Sequence, residues 1–306
     1  MIAGYFLPFI SNKTIERFIA WTISIITVCF SVQITSHETP LYRMAAIASL
    51  QLLSMKLIVM IETYSGKPRL SFIQWSAFSL GWFGMRPVLF EKLPSARLPY
   101  SDLLFRGISR LVIGFTLIYL SALLERYSFH SRFIDDLFLL LGLSFILHFG
   151  ILNISTALWR LSGVDVRELF RAPYKAKSLT EFWGKRWNMA FSEMTSIIVY
   201  RPLKNNIGKT WAMIASFLLS GILHEIAISF PVKSGYGLPL LYFVIQGTVM
   251  YLESHVASIK KIITDKVASH LWVMAWLVLP LPLLFHKDFI SLVLMPLRDV
   301  LLQIVH

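Results

Sequence analysis

The chain has 306 residues, of which 56% are hydrophobic and only 15% charged, with the apolar residues in long runs. Mean hydropathy is +0.65. These values exclude a disordered chain, a disulfide scaffold and a water-soluble enzyme, and leave a polytopic membrane protein. The net charge of +12 comes from 29 Lys and Arg against 17 Asp and Glu, placed mostly in short loops. That is how topology signals and contacts to anionic lipid are distributed, and no nucleic-acid motif accompanies it.

A membrane-crossing helix takes about 20 mostly apolar residues. Nine stretches are expected to cross: 15–34, 42–61, 71–86, 107–125, 134–158, 209–230, 238–256, 269–285 and 288–304. Residues 1–10 are too few to cross and are expected in the interface. Lys13 and Arg17 before the run Phe18 to Phe30 mimic a signal peptide, but no small-x-small cleavage site follows. The run reads as a retained first helix. Cys29, the single cysteine, is expected as a small buried hydrophobe, without disulfide or metal role. No repeat or second domain is visible, so 1–306 reads as one all-α membrane domain with a motif-bearing core at 160–230.

With residues 160–209 cytosolic and nine spans alternating, 18 Lys and Arg fall on the cytosolic side and 8 on the other. This orientation places the N-terminus outside and the C-terminus in the cytosol.

Residues 160–207 break the pattern, being basic and aromatic between two spans. Ser178-x-x-Glu181 reads as a capping box, so a helix is expected to begin near Leu179. Phe182, Trp183, Trp187, Phe191 and Met194 give that helix an apolar side, suited to lying at the interface or re-entering the bundle. Inside the span 209–230 stands Ser220-Gly221-Ile-Leu-His224-Glu225. Ionisable neighbours there must face protein or water, either as a neutral His bonded to a neighbouring helix or as a general base.

Together these blocks resemble the wax-synthase branch of the membrane-bound O-acyltransferases. That branch shows Ser-Leu-x-x-Phe-Trp-Gly-Arg-Arg-Trp-Asn, matched by Ser178 to Asn188, and then Ser-Gly-x-x-His-Glu, matched by Ser220 to Glu225. Phe170-x-Ala-Pro173 and Tyr200-Arg201-Pro202-Leu203 also look like the family. The match covers Phe170 to Glu225; Lys185 stands where Arg is common, and Arg and Lys differ in how they hold phosphate. The resemblance implies an intramembrane reaction chamber and acyl transfer from acyl-CoA to the hydroxyl of a lipophilic alcohol. By motif position it implies His224 as catalytic base and Asn188 as its partner.

The residues agree with that chemistry. Histidine suits proton abstraction from an alcohol, and the Asn188 amide can donate to an oxyanion or orient the alcohol. Glu225 points about 100° away from His224 around the helix and reads as a helix-pairing residue. Ser220 lines the same face as His224, and Gly221 permits close packing. CoA is polyanionic, and Arg171, Lys175, Lys185 and Arg186 are candidates for its phosphates, with Lys177 beside them. Trp183 and Trp187 either wall the acyl channel or simply pack. His148, Lys56, Glu193 and Glu253 read as helix–helix hydrogen bonders, His148 at most lining the chamber. No metal-ligand set or resident cofactor is expected: HExxH is absent because residue 228 is Ile. The rival reading is a transporter or flippase for a lipid-like substrate using His148, His224 and Glu225, which leaves the Trp-Gly-Lys-Arg-Trp-Asn block without a role. A non-catalytic scaffold gives no reason for the in-span His-Glu pair, and a hydrolase lacks the Gly-x-Ser-x-Gly elbow. The particular alcohol, the acyl length, the oligomeric state and the membrane occupied are not encoded in any motif.

Overall fold

The computed structural model describes residues 2–10, 12–64, 70–127 and 132–305, which form helices and loops with no strand among them. After the short α1 (Ile2–Phe6), α2 (Lys13–Ile34) starts where the Asn12 side chain accepts from the Thr14 and Ile15 amides. A tight turn leads to α3 (Pro40–Tyr64), and α4 (Phe72–Gly81) follows a Ser71–Gln74 capping box. Helix α5 (Ser101–Tyr127) pairs with a continuous helix made of α6 (Arg132–Ser144), a π-helical stretch (Phe145–Ile151) and α7 (Leu152–Leu161). The long α11 (Lys209–Val232) packs against α12 (Leu238–His255). Then come α13 (Ala257–Thr264), α14 (Lys266–Val278), α15 (Leu281–Leu284), α16 (Lys287–Phe289) and α17 (Met295–Val305).

Six of the nine expected spans are long and apolar enough to cross a membrane: α2, α3, α5, the 132–161 helix, α11 and the α14–α15 unit. The stretch around α12 forms a helix of 18 residues carrying Gln246 and Glu253, and 287–305 is helical too, with four charges. The stretch 71–86 does not cross. Its helix is ten residues, about 15 Å long, half of the hydrocarbon thickness. Buried Lys56 explains why. Its ammonium donates to the carbonyls of Phe78 (2.7 Å) and Gly84 (2.9 Å) and lies 3.9 Å from the Phe78 ring centre. Gln74 donates to the Glu91 and Leu93 carbonyls, and Trp159 to Gly81. The chain from α4 onward is therefore folded against the end of α3 where it began.

That missing crossing reverses the N-terminal helices relative to the expected path. The α2–α3 turn lies beside the α11–α12 turn: Lys233 donates to Ser36 O and Arg43 to Pro231 O (2.5 Å). Arg17, at the start of α2, pairs with Glu62 at the close of α3. The start of α2 and residues 160–207 thus share one end of the bundle, the motif end. Along this path, among residues outside 65–69 and 125–133, that end gathers 19 Lys and Arg, against three (Arg43, Lys233, Lys287) at the far end. Arg43 is a buried donor. Cys29, expected buried, is exposed on α2.

Small residues let the helices approach. A Cβ at Gly114 would sit 2.6 Å from Ile146, and one at Gly221 would sit 2.6 Å from Leu240 of α12.

The path is testable by side-selective labelling. In a Cys29→Ala background, Lys13→Cys and Lys185→Cys should react with an impermeant maleimide from the same face of sealed vesicles. Glu38→Cys should react only from the opposite face. Lys13 and Glu38 labelled from one face would refute the path.

Candidate active site

The site is built where the 162–207 segment folds back into the bundle. From α7 the chain runs as a strap whose Val164, Val166, Leu169 and Phe170 are buried. Ala172 is left-handed (φ 46°) and turns the chain into Pro173–Lys175. Helix α8 (Leu179–Glu181) begins where expected: the Ser178 hydroxyl accepts from the Glu181 amide at 3.0 Å. The reciprocal half of the box is shifted, since the Glu181 carboxylate accepts from the Lys177 amide instead. Burial alone would raise the Glu181 carboxyl, but the Lys177 N–H and the Arg186 guanidinium outweigh it and hold the group below its usual range.

The expected single helix is in fact two. A π turn over Phe182–Arg186 ends at Trp187, and Asn188 adopts φ 44°, a conformation asparagine tolerates. Asn188 then caps α9 (Met189–Thr195), its Oδ1 accepting from the Phe191 amide at 3.2 Å. The helix continues through a π turn into α10 (Arg201–Ile207). The break is pinned to the strap by Arg171 N–H to Arg186 O (2.7 Å) and Met189 N–H to Leu169 O (2.8 Å).

A buried carboxylate sets the position of the segment. Glu253 of α12, 3% exposed, accepts from the Leu179 amide (2.7 Å), the Thr180 amide and hydroxyl, and the Trp272 indole N–H. This is an acidic side chain at a helix N-terminus. Gln246 repeats the logic one layer deeper, accepting from Trp183 Nε1 (3.1 Å) and donating to Trp276 O (2.7 Å).

His224 lies in α11, about 22 Å along the helix from Lys209. Its Nδ1 is 2.7 Å from the Ser220 carbonyl. A carbonyl oxygen only accepts, so Nδ1 carries the proton, and in the neutral ring Nε2 keeps its lone pair. The ring lies between Phe191 (5.2 Å between centroids) and Phe243 (4.3 Å). Asn188 reaches the same place through Phe191, whose amide it caps; it makes no hydrogen bond to His224, and its NH₂ group has no partner. The Ser220 hydroxyl is spent on Ser216 O, so Ser220 serves through its carbonyl. Glu225 accepts from the Gly237 and Leu240 amides and caps α12, the helix-pairing role expected for it.

Both tryptophans belong to the aromatic layer beside His224. Trp183 meets Phe217 and Phe243; Trp187 meets Phe182, Phe170 and His148. Lys56, Glu193 (paired with Arg86 at 2.8 Å) and Glu253 are the polar couplers expected. His148 is not: its buried Nδ1 has no hydrogen-bond partner.

Of the expected phosphate contacts, Lys175 and Lys185 are exposed. Arg186 is turned inward, held by Glu181 and by the Arg171 and Ala172 carbonyls. Arg171 lines two clefts at the motif end. The larger, about 460 Å³, also presents Arg106, Arg160 and Arg167 beside Asp102 and Glu168; the smaller, about 190 Å³, runs past Leu169 to Glu193. The sequence reading missed Arg106, Arg160, Arg167, Phe243 and Gln246, and named Phe191 only for the apolar side of its helix. They converge from segments far apart in the chain, and no local pattern links them.

Removing the Glu253 anchor tests the assembly. Glu253→Ala strands two backbone donors and an indole N–H, each costing about 1–3 kcal/mol when left buried and unpaired. The variant should melt at a lower temperature in detergent, with Glu253→Gln in between. Wild-type melting of the Ala variant would show that the carboxylate does not hold the segment.

Comparison with known proteins identifies the segment. The profile of the membrane bound O-acyl transferase family matches residues 166–245. The long-chain-alcohol O-fatty-acyltransferase of Simmondsia chinensis is 30% identical over 114 residues, 34% of this chain and 32% of that protein. The probable long-chain-alcohol O-fatty-acyltransferase 2 of Arabidopsis thaliana is 27% identical over 189 residues, 56% of this chain and 53% of its own. Acyl-CoA–sterol O-acyltransferase 1 of Arabidopsis thaliana is 33% identical over 79 residues, 24% of this chain and 23% of its own. The aligned parts thus span from about a quarter to about half of these relatives. Over residues 166–245, where Asn188 and His224 both fall, the chain is similar to the membrane bound O-acyl transferases, and it resembles their wax-synthase-like members.

Proposed function

We propose that this protein transfers an acyl group from acyl-CoA to the hydroxyl of a lipophilic alcohol, forming an ester. The observation that carries the reading is the His224 imidazole, fixed by Ser220 with Nε2 free and enclosed by Phe191 and Phe243 beside the Asn188 segment.

The chemistry follows from that tautomer. Nε2 takes the hydroxyl proton as the alcohol oxygen bonds to the thioester carbon. The carbonyl electron pair moves onto oxygen, where the free NH₂ group of Asn188 is the available donor. When the C–S bond breaks, the imidazolium returns the proton to the thiolate. Neither metal nor resident cofactor has a part in this sequence. Aromatic walls keep water, the competing nucleophile, away from the acyl carbon.

The substrates differ in where they come from, and the two ends of the bundle differ accordingly. The 19-to-three distribution of basic residues supports a cytosolic motif end, from which CoA arrives. There Arg171, Lys175, Lys185 and the cleft arginines Arg106, Arg160 and Arg167 would receive the phosphates. Arg186 would instead shape the mouth. Trp183 and Trp187 wall the route inward. The names of the relatives favour a long-chain alcohol or a sterol as acceptor.

The test is free CoA release by the protein in lipid nanodiscs, with acetyl-CoA and palmitoyl-CoA crossed against hexadecanol and a sterol. Wild-type protein should show acceptor-dependent release, and His224→Ala should lose about 10²–10⁴-fold in rate at unchanged melting temperature. Equal release by both proteins would remove His224 as the base.

A further inference from the structure

Three histidines in helices of this protein place Nδ1 2.6–2.8 Å from the carbonyl four residues back: His224 on Ser220, His255 on Tyr251 and His270 on Lys266. His148 does not. It lies in the π-helical stretch Phe145–Ile151, where the backbone ladder runs to the fifth residue back, as in Leu152 N–H to Leu147 O. No hydrogen bond joins its Nδ1 to the Ser144 carbonyl. Nδ1 is buried without a partner. In a neutral imidazole that nitrogen is either a donor or an acceptor, so the side chain keeps one polar position open inside the protein. Most buried polar groups are paired, so an unpaired one inside an aromatic cluster calls for an explanation.

Its neighbours say where the open nitrogen stands. The ring is 4.5 Å from Phe170 and 5.3 Å from Trp187, centroid to centroid. Phe170 immediately precedes Arg171, which lines both basic clefts. Trp187 immediately precedes Asn188, and from its ring an aromatic series of Phe182, Trp183 and Phe243 leads to His224. His148 therefore packs on the two rings whose chain neighbours are Arg171 at the mouth and Asn188 in the motif segment. The thiol arm of CoA carries amide carbonyls, which lose their water on entering an aromatic passage and need donors there.

We propose that His148 donates a hydrogen bond to a carbonyl oxygen of the acyl donor, in the thioester or the adjoining amides of the thiol arm, and so positions acyl-CoA for His224. The proposal rests on the acyl-CoA reading above.

The test uses a non-hydrolysable thioether analogue of palmitoyl-CoA, titrated calorimetrically into the protein in nanodiscs. His148→Phe keeps a ring against Phe170 and Trp187 but removes both nitrogens; His148→Gln keeps a donor. His148→Phe should bind the analogue about tenfold more weakly and raise the KM for acyl-CoA without moving that for the alcohol. It should melt at or above the wild-type temperature, because a buried unpaired group is gone. His148→Gln should recover most of the affinity. Wild-type affinity in His148→Phe, or a lowered melting temperature with equal losses for both substrates, would overturn the proposal. No binding of the analogue by wild-type protein would instead overturn the acyl-CoA reading, and this proposal with it.

Discussion

Inside a hydrocarbon layer no water is available to satisfy a polar group, so each must find its partner within the protein. This constraint organises the bundle. Lys56 holds two carbonyls and thereby turns α4 back. Arg43 reaches the end of α11. Glu225 closes the start of α12, and Glu253 at the other end of the same helix closes the start of α8. Gln246 ties Trp183 to Trp276. These side chains sit at the joints where irregular backbone enters the bundle, and their hydrogen bonds allow it to do so. The same constraint makes the exceptions informative. Among the described residues the Asn188 NH₂, His224 Nε2 and His148 Nδ1 lack hydrogen-bond partners along one aromatic layer, and Arg43, Arg110, Asp135, Asn153 and His286 each hold one further buried unpaired atom.

The sequence made the crossing helices largely legible because length and apolarity are local properties. The third span was misjudged because composition alone cannot tell a short helix folded against the bundle from a tilted span. What decides is the ammonium of Lys56, whose partners lie 22 and 28 residues away. The consequence is global, since one crossing fewer reverses everything before it. Over the same residues the basic side chains divide 18 against four on the expected path and 19 against three on the observed one. Packing decides the path, and the charge distribution agrees with it.

The site was legible in part for the same reason. Ser178 and Glu181 announce a helix start through neighbours three residues apart, and the start lies where they place it. The break at Trp187–Asn188 was not foreseen, because asparagine in the left-handed region looks like any other polar residue in an amphipathic pattern. The cleft that brings Arg106, Arg160, Arg167 and Arg171 together joins a helix start, a helix end and a strap. Such a site is a product of topology and leaves no periodic trace.

The depth of His224 fits the demands of the proposed reaction. Its ring lies about 22 Å along α11 from the basic end. A base placed near the mouth would meet water as readily as alcohol, and hydrolysis would compete with transfer. A base placed deep meets only what the apolar and aromatic walls admit, and a lipophilic alcohol is soluble there. The nucleotide of CoA cannot follow, since burying its phosphates costs far more than any contact there returns. On the proposed reading the donor would be divided, its charges held by arginines and lysines at the motif end and its thiol arm threaded inward. Distance between charge and chemistry would let one site accept a polyanion from water and an alcohol from lipid, and it would require polar groups along the way.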